Sequence, residues 1–137
     1  MSTATTSIVT GTDFICVPTQ DLGAAQRFYG EVLGLPMSKT WGSENPVGAE
    51  YETGSLTVAL VASERLGIEY RTHTHPIAFR VDDVAAARAE LEARGVEFFG
   101  DTVDSGVCHM AYFKDVDGNA LMLHHRYAPP EARPTAA

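Results

Sequence analysis

The alternation of hydrophobic and polar positions divides the chain into two halves with the same order of elements. Residues 14–18 form a largely apolar run, and hydrophobic side chains recur at spacings of three and four through residues 22–33. The same order returns sixty-two positions later, in residues 76–80 and 84–91. A spacing of three and four places side chains on one face of a helix. Each half is therefore predicted to begin with a strand followed by a helix.

Residues suited to helix ends flank both predicted helices. Asp21 and Asp83 stand immediately before the helical stripes, where a carboxylate can accept hydrogen bonds from free amides of the first turn. Gly34 and Gly95 follow the stripes, and glycine adopts the left-handed conformation that commonly ends a helix. These four residues predict where both helices begin and end.

After each helix the hydrophobic period falls to two, which is typical of strands. The predicted strands lie near residues 37–41, 48–53, 56–61, 96–99, 107–113 and 119–126. Residues 115–119 predict a turn joining the last two strands, because Gly118 can adopt a positive φ. The polar connector 63–74 is predicted to be exposed.

Three segments resemble the vicinal oxygen chelate superfamily: VPTQDLGAAQRFYGEVLGLP, FRVDDVAAARAELEARGV and YFKDVDGNALML. That superfamily includes glyoxalase I, extradiol dioxygenases, fosfomycin-modifying enzymes and bleomycin-binding resistance proteins. The resemblance implies one α+β domain over residues 12–127, in which two βαβββ modules (about 12–62 and 75–127) form half-open sheets around a cleft. It also implies a homodimer. Residues 1–11 and 128–137 are predicted to be flexible tails.

Enzymes of this superfamily bind a divalent metal through four side chains, one on the first and one on the last strand of each half. The resemblance places Phe14, Ala59, Pro76 and Met122 at these positions. Phenyl, methyl and pyrrolidine groups offer no lone pair, and thioether sulfur suits only soft metals. We therefore expect no bound metal and no cofactor.

The same substitutions give the predicted cleft an apolar lining. Strand alternation and the resemblance together place seven side chains in it: Phe14, Trp41, Arg80, Met110, Tyr112, Met122 and His124. Aromatic rings and methionine sulfurs with a few polar groups are typical of a site for a flat, largely apolar small molecule. His124 is the best candidate for a polar contact to a ligand, whereas Arg80 could equally form an ion pair at the surface.

Composition narrows the possible partners. The 137 residues are 45% hydrophobic and 20% charged, which is ordinary for one globular domain. A net charge of −8 disfavours nucleic acid and anionic membranes as partners. Without a membrane-spanning apolar stretch or a signal peptide, the chain is predicted to be cytoplasmic. Cys16 and Cys108, in apolar strand-like segments, are predicted to be reduced core thiols.

The first functional prediction is a non-catalytic, homodimeric binding protein that gives resistance by sequestering an aromatic or polycyclic antibiotic. The alternative is a metal-dependent lyase, isomerase or ring-cleaving dioxygenase with displaced ligands, His75 and His124, or a metal-free enzyme using His124 or Tyr112 as acid or base. No nucleophile–base pair or carboxylate dyad is visible by spacing, so the enzyme ranks second. A stand-alone domain with a vestigial cleft is the third possibility.

Overall fold

A computed structural model describes residues 6–42 and 44–129 of the chain. The strands are β1 (Phe14–Pro18), β2 (Met37–Trp41), β3 (Gly48–Glu52), β4 (Thr57–Val61), β5 (Ile77–Arg80), β6 (Phe98–Asp104), β7 (Cys108–Lys114) and β8 (Ala120–Arg126). The helices are α1 (Leu22–Arg27), which continues into a π-helical segment (Phe28–Val32), a 3-10 turn (Ser63–Leu66) and α2 (Val84–Ala93). The predicted tail residues 1–5 and 130–137 lie outside the described part.

The strands form two four-stranded sheets, with the orders β1-β4-β3-β2 and β5-β8-β7-β6. In each sheet the first and last strands of the module are parallel neighbours, and the other pairs are antiparallel. The two modules therefore share one topology, which confirms the predicted α+β fold. Strands β1 and β5 are both edge strands. Among the described residues, no ladder of hydrogen bonds joins the two sheets.

The predicted helix ends are confirmed. The Asp21 carboxylate accepts a hydrogen bond from the Ala24 N–H at 3.0 Å, and Asp83 accepts one from the Ala86 N–H at 3.0 Å. Gly95, after α2, has a φ of 93°, a left-handed conformation that favours glycine.

The first helix differs from the prediction because its α-helical part ends at Arg27 and a wider π-helical segment follows. A wider turn separates successive side chains by a smaller angle, so the neighbours Phe28 and Tyr29 both pack inward, with ring centroids 5.3 Å apart. Gly30 lies beside the Tyr51 ring, where a Cβ atom would approach within 3.3 Å.

A single hydrophobic core is built from the helix-bearing faces of both sheets. Val17 and Leu60 contribute from the first module, and Phe113 and Leu121 from the second. Since strand side chains alternate between faces, the opposite face of each sheet is left outside this core. We call these the open faces of the first and second sheets.

A buried polar cluster joins the turn between β7 and β8 to the first module. The Asp115 carboxylate accepts hydrogen bonds from the Tyr29 hydroxyl (2.7 Å), the Asn119 amide (2.9 Å) and the backbone N–H groups of Asp117 and Asn119 (both 2.9 Å). The Asn119 amide also donates to the Pro18 carbonyl at 2.9 Å. Gly118 has a φ of 97°, so the predicted turn is confirmed.

The connector 63–74 is less uniformly exposed than predicted. Ser63 is buried, and the Tyr70 hydroxyl donates a hydrogen bond to the Asp117 carboxylate at 3.0 Å. Burial, and then this hydrogen bond, raises the pKa of Tyr70 to about 12. Asp117 also accepts a hydrogen bond from the Thr19 hydroxyl at 2.7 Å. Asp117 therefore links the connector, through Tyr70, to the second module and, through Thr19, to the first.

Two further predictions need correction. The sixth strand runs over Phe98–Asp104, not residues 96–99, because a bulge between Phe99 and Val103 lets it continue past Gly100, whose φ is 71°. Cys16 is exposed on the open face of the first sheet, whereas Cys108 is buried but lies, by its pairing with Arg126, on the open face of the second sheet and outside the core.

No helix in the described ranges is long and apolar enough to cross a membrane.

Candidate ligand-binding face

Strand register gathers five of the predicted ligand-binding residues on the open face of the second sheet. Arg80 pairs with His124 and His124 with Met110, while Tyr112 pairs with Met122. Residues paired across neighbouring strands share a face and lie about 5 Å apart. The Tyr112 hydroxyl lies 3.7 Å from the Met110 sulfur. The five side chains therefore form one continuous surface.

Sequence reasoning missed two apolar residues of this face, Phe99 and Val103. Phe99 pairs with Tyr112 and Val103 with Met110, and the two side chains are 52% and 42% exposed. Val103 was missed because β6 was predicted to end at residue 99, and Phe99, the last residue of the predicted strand, was not assigned to the cleft. Gly100 was the available signal, since a glycine within an alternating segment often marks a bulge.

The other two predicted residues, Phe14 and Trp41, lie on the open face of the first sheet. Phe14 is 54% exposed on the edge strand β1, and Trp41 lies on the opposite edge strand β2. Three strand spacings, roughly 14 Å, separate them across the sheet, and Trp41 is also aligned with Pro18, four residues along β1 from Phe14. Within one chain, the seven predicted residues thus form two groups on two sheets rather than one closed cleft.

Trp41 packs directly on the backbone of the neighbouring strand. It pairs with Gly48, where a Cβ atom would lie 2.1 Å from Cε2 of the indole. Only glycine at position 48 lets the ring lie flat against β3. The sequence alone gave no reason to connect these two residues.

The positions that match the metal ligands of the family do not fit a divalent metal. Phe14, Ala59 and Pro76 carry no donor atom on their side chains, and Met122 offers only a thioether. Within residues 6–42 and 44–129, no group of three or more His, Cys, Asp or Glu side chains is placed to hold a metal ion.

The two histidines proposed as displaced ligands lie toward opposite ends of the same strand pair. His124 pairs with Arg80 at the end of β5, whereas His75 precedes Ile77 at its beginning. Positions 77 and 80 alone are roughly 10 Å apart at the usual strand rise. A shift of β5 by one residue would be needed to turn His75 toward the open face, but Ile77 and Phe79 pack against the core, which excludes that shift. The structure therefore does not bring His75 and His124 together.

His109 lies on the opposite face of the second sheet from Met110. Its Nε2 lies 3.4 Å from the Asp104 carboxylate, and its ring centroid lies 4.7 Å from that of Tyr127. The Gly106 N–H and then the Tyr127 hydroxyl, by donating hydrogen bonds, lower the pKa of Asp104. This cluster belongs to the helix-bearing side of the second sheet and adds nothing to the open face.

A cavity of about 840 Å³ adjoins the end of the open face at which β5 and β8 finish. Its walls include Arg80, His124 and Arg126 on the strands, Leu91 on α2, and residues 33–35 of the first module. This volume lies within the range of about 300–1,000 Å³ that small-molecule sites occupy.

Known proteins share this architecture. TnmS3, an antibiotic binding protein from Streptomyces sp. CB03234, is 23% identical with a TM-score of 0.72, over 88% of this chain and 98% of its own. A glyoxalase/bleomycin resistance protein/dioxygenase from Nocardioides is 25% identical with a TM-score of 0.69, over 93% of each chain. Lactoylglutathione lyase from Agrobacterium tumefaciens is 19% identical with a TM-score of 0.69, over 85% of this chain and 93% of its own.

A comparison with curated proteins finds no match. The sequence model of the Glyoxalase/Bleomycin resistance protein/Dioxygenase superfamily, however, matches residues 11–123. That range contains both modules except the end of β8. On this match and the fold described above, the chain belongs to the glyoxalase/bleomycin resistance protein/dioxygenase superfamily.

Proposed function

We propose that the protein binds a flat aromatic small molecule on the open face of the second sheet and sequesters it without chemical turnover. The observation that carries this proposal is the continuous apolar surface of Phe99, Val103, Met110, Tyr112 and Met122, of which the first two are exposed and the other three half-buried. Such a patch on a folded chain usually marks a binding site. The likeness to an antibiotic binding protein supports an aromatic or polycyclic antibiotic as ligand, and hence a role in resistance.

The chemistry of this surface suits a ring system better than a polar substrate. Stacking on an aromatic side chain contributes about 0.5–1.5 kcal/mol beyond the burial of area. Each Å² of apolar surface removed from water adds about 25 cal/mol. Methionine side chains are flexible, and their sulfur atoms make favourable contacts with the edges of aromatic rings. They can therefore accommodate ring systems of different shapes without directed hydrogen bonds. These contributions favour affinity without requiring catalysis.

A homodimer is the second part of the proposal. The open face of the first sheet carries Phe14 and Trp41, and its own chain provides no second sheet to cover it. Association of two copies can place this face over the second-sheet face of the other copy and thereby exclude water from a bound ligand. The cleft would then contain all seven predicted ligand-binding residues.

Quenching of tryptophan emission tests binding, because Trp41 is the only tryptophan. After treatment with a chelator, titration with anthraquinones and simpler quinones should quench this emission with micromolar affinity and raise the melting temperature. Met122→Glu should weaken binding at least about tenfold, since it buries an unpaired carboxylate under the ligand. Met122→Leu should retain binding.

Met37→Glu is the matched control, because Met37 is 53% exposed on the helix-bearing side of the first sheet. It introduces the same charge and should leave affinity unchanged. If no compound of the panel binds, while a thiol adduct or a catechol is turned over, sequestration is wrong and the enzymatic alternative replaces it. The chelator alone should leave the melting temperature unchanged.

A further inference from the structure

The open face of the second sheet is cationic in an otherwise acidic protein. The charged side chains at its strand positions are Arg80, Lys114 and Arg126, against one carboxylate, Asp101, which lies between the open-face residues Phe99 and Val103 on β6. The whole chain carries a net charge of −8. By contrast, the open face of the first sheet carries two carboxylates, Glu50 and Glu52, and one cation, Lys39, which is paired with Glu50. Cations therefore outnumber carboxylates on the proposed ligand-binding face, whereas carboxylates outnumber cations on the other open face.

Two of these cations lie together at one end of the apolar surface. Arg80 pairs with His124 across β5 and β8, and Arg126 follows His124 by two residues on the same face. Lys114 lies at the other end, where its ammonium is 5.1 Å from the centroid of the Phe99 ring. The face is therefore polar and cationic at its Arg80 end and apolar along its middle.

Neither arginine is neutralised by the described part of the protein. Arg80 has no carboxylate within 4.0 Å, and Arg126 donates only to the Pro129 carbonyl, at 3.2 Å. Arg94, on another wall of the adjoining cavity, instead forms an ion pair with Glu90 at 2.5 Å. The acidic residue nearest in sequence to Arg80 is Asp82, which also lines the cavity without a salt bridge to either arginine.

We infer that the bound aromatic molecule carries an acidic group, a carboxylate or another ionised oxygen, which Arg80 and Arg126 hold while its rings lie on Tyr112 and Met122. This inference rests on the proposed function and specifies its ligand class. A guanidinium forms paired, charge-assisted hydrogen bonds to such a group, and these are stronger than neutral ones. His124, between the two arginines, can donate a further hydrogen bond.

A matched pair of probes tests the inference: anthraquinone-2-carboxylate and anthraquinone-2-carboxamide, which share rings and shape but differ in charge. By titration calorimetry at low ionic strength, which does not depend on the position of Trp41, the wild-type protein should bind the carboxylate roughly tenfold or more tightly than the amide. The double variant Arg80→Gln and Arg126→Gln should bind both probes equally. Lys114→Gln, which removes a cation from the far end of the same face, should keep the preference.

The possible outcomes distinguish a failure of this inference from a failure of the proposed aromatic-ligand binding. Equal wild-type affinity for both probes overturns the acidic ligand and leaves aromatic binding intact. A preference that survives in the double variant shows that other residues hold the acid, which overturns the assignment. If neither probe binds the wild-type protein, both proposals fail. Circular dichroism and melting curves establish that each variant is folded, as expected for two exposed arginines.

Discussion

At the scale of single residues, the most constrained side chain is Asp115, a buried carboxylate whose hydrogen-bond donors are all uncharged. Its acceptor capacity is filled by the Tyr29 hydroxyl, the Asn119 amide and two backbone N–H groups. Burial first, and then the charge of Asp115, raises the pKa of Tyr29 far above its usual range. The phenol therefore stays protonated and keeps donating its hydrogen bond.

Tyr29→Phe should lower the free energy of unfolding by about 2 kcal/mol, because it leaves a buried carboxylate with one hydrogen bond fewer. Urea denaturation followed by circular dichroism measures this loss. Tyr112→Phe is the matched control: its hydroxyl contacts only the Met110 sulfur, so we expect a change below about 0.5 kcal/mol. Equal losses in the two variants would contradict the structural role given to Asp115.

At the scale of elements, the sequence predicted correctly those features that depend on residues a few positions apart, such as the ends of the helices. Asp21, Asp83 and Gly95 act within one turn of helix, and all three were placed correctly. Strand β6 was misplaced because its continuation past a bulge depends on pairing with the partner strand β7, and Gly100 was the only local sign of that bulge. The contact between Trp41 and Gly48 was missed for the same reason, since it joins two strands.

Gly48→Ala should displace the indole of Trp41, because the new methyl group would lie 2.1 Å from the ring. We expect a red-shifted tryptophan emission, a loss of about 1–3 kcal/mol in the free energy of unfolding, and weaker quenching by aromatic ligands. Gly11→Ala is the control, since no atom lies within 4 Å of the added Cβ. Unchanged emission in Gly48→Ala would show that the indole does not rest on β3.

At the scale of the whole molecule, both sheets contribute one face to a shared core, and their other faces, the two open faces, differ in charge. The first-sheet face carries Glu50 and Glu52 against Lys39, and the second-sheet face carries Arg80, Lys114 and Arg126 against Asp101. In the described part of the chain, the outer edges of strands β1 and β5 also have no partner strand. Exposed edges and apolar faces favour association, and complementary charge favours contact between unlike faces.

Light scattering at micromolar concentration should therefore give the mass of a dimer. Phe14→Asp should shift the protein toward monomer, because it places a charge on an apolar position of the first-sheet face that is 54% exposed in the single chain. Ile8→Asp is the control, since Ile8 is 98% exposed outside both faces and should leave the mass unchanged. A wild-type monomer would contradict this part of the proposal.

The sequence by itself determined the duplicated module, the helix ends, the final turn and the loss of metal donors. These features depend on residue chemistry and on neighbours a few positions away. Only the tertiary structure decided that β6 continues to Val103, that His75 and His124 lie apart, and that Arg80 and Arg126 border one apolar face. Strand pairing and bulges bring distant residues together, and a one-dimensional pattern does not encode those distances.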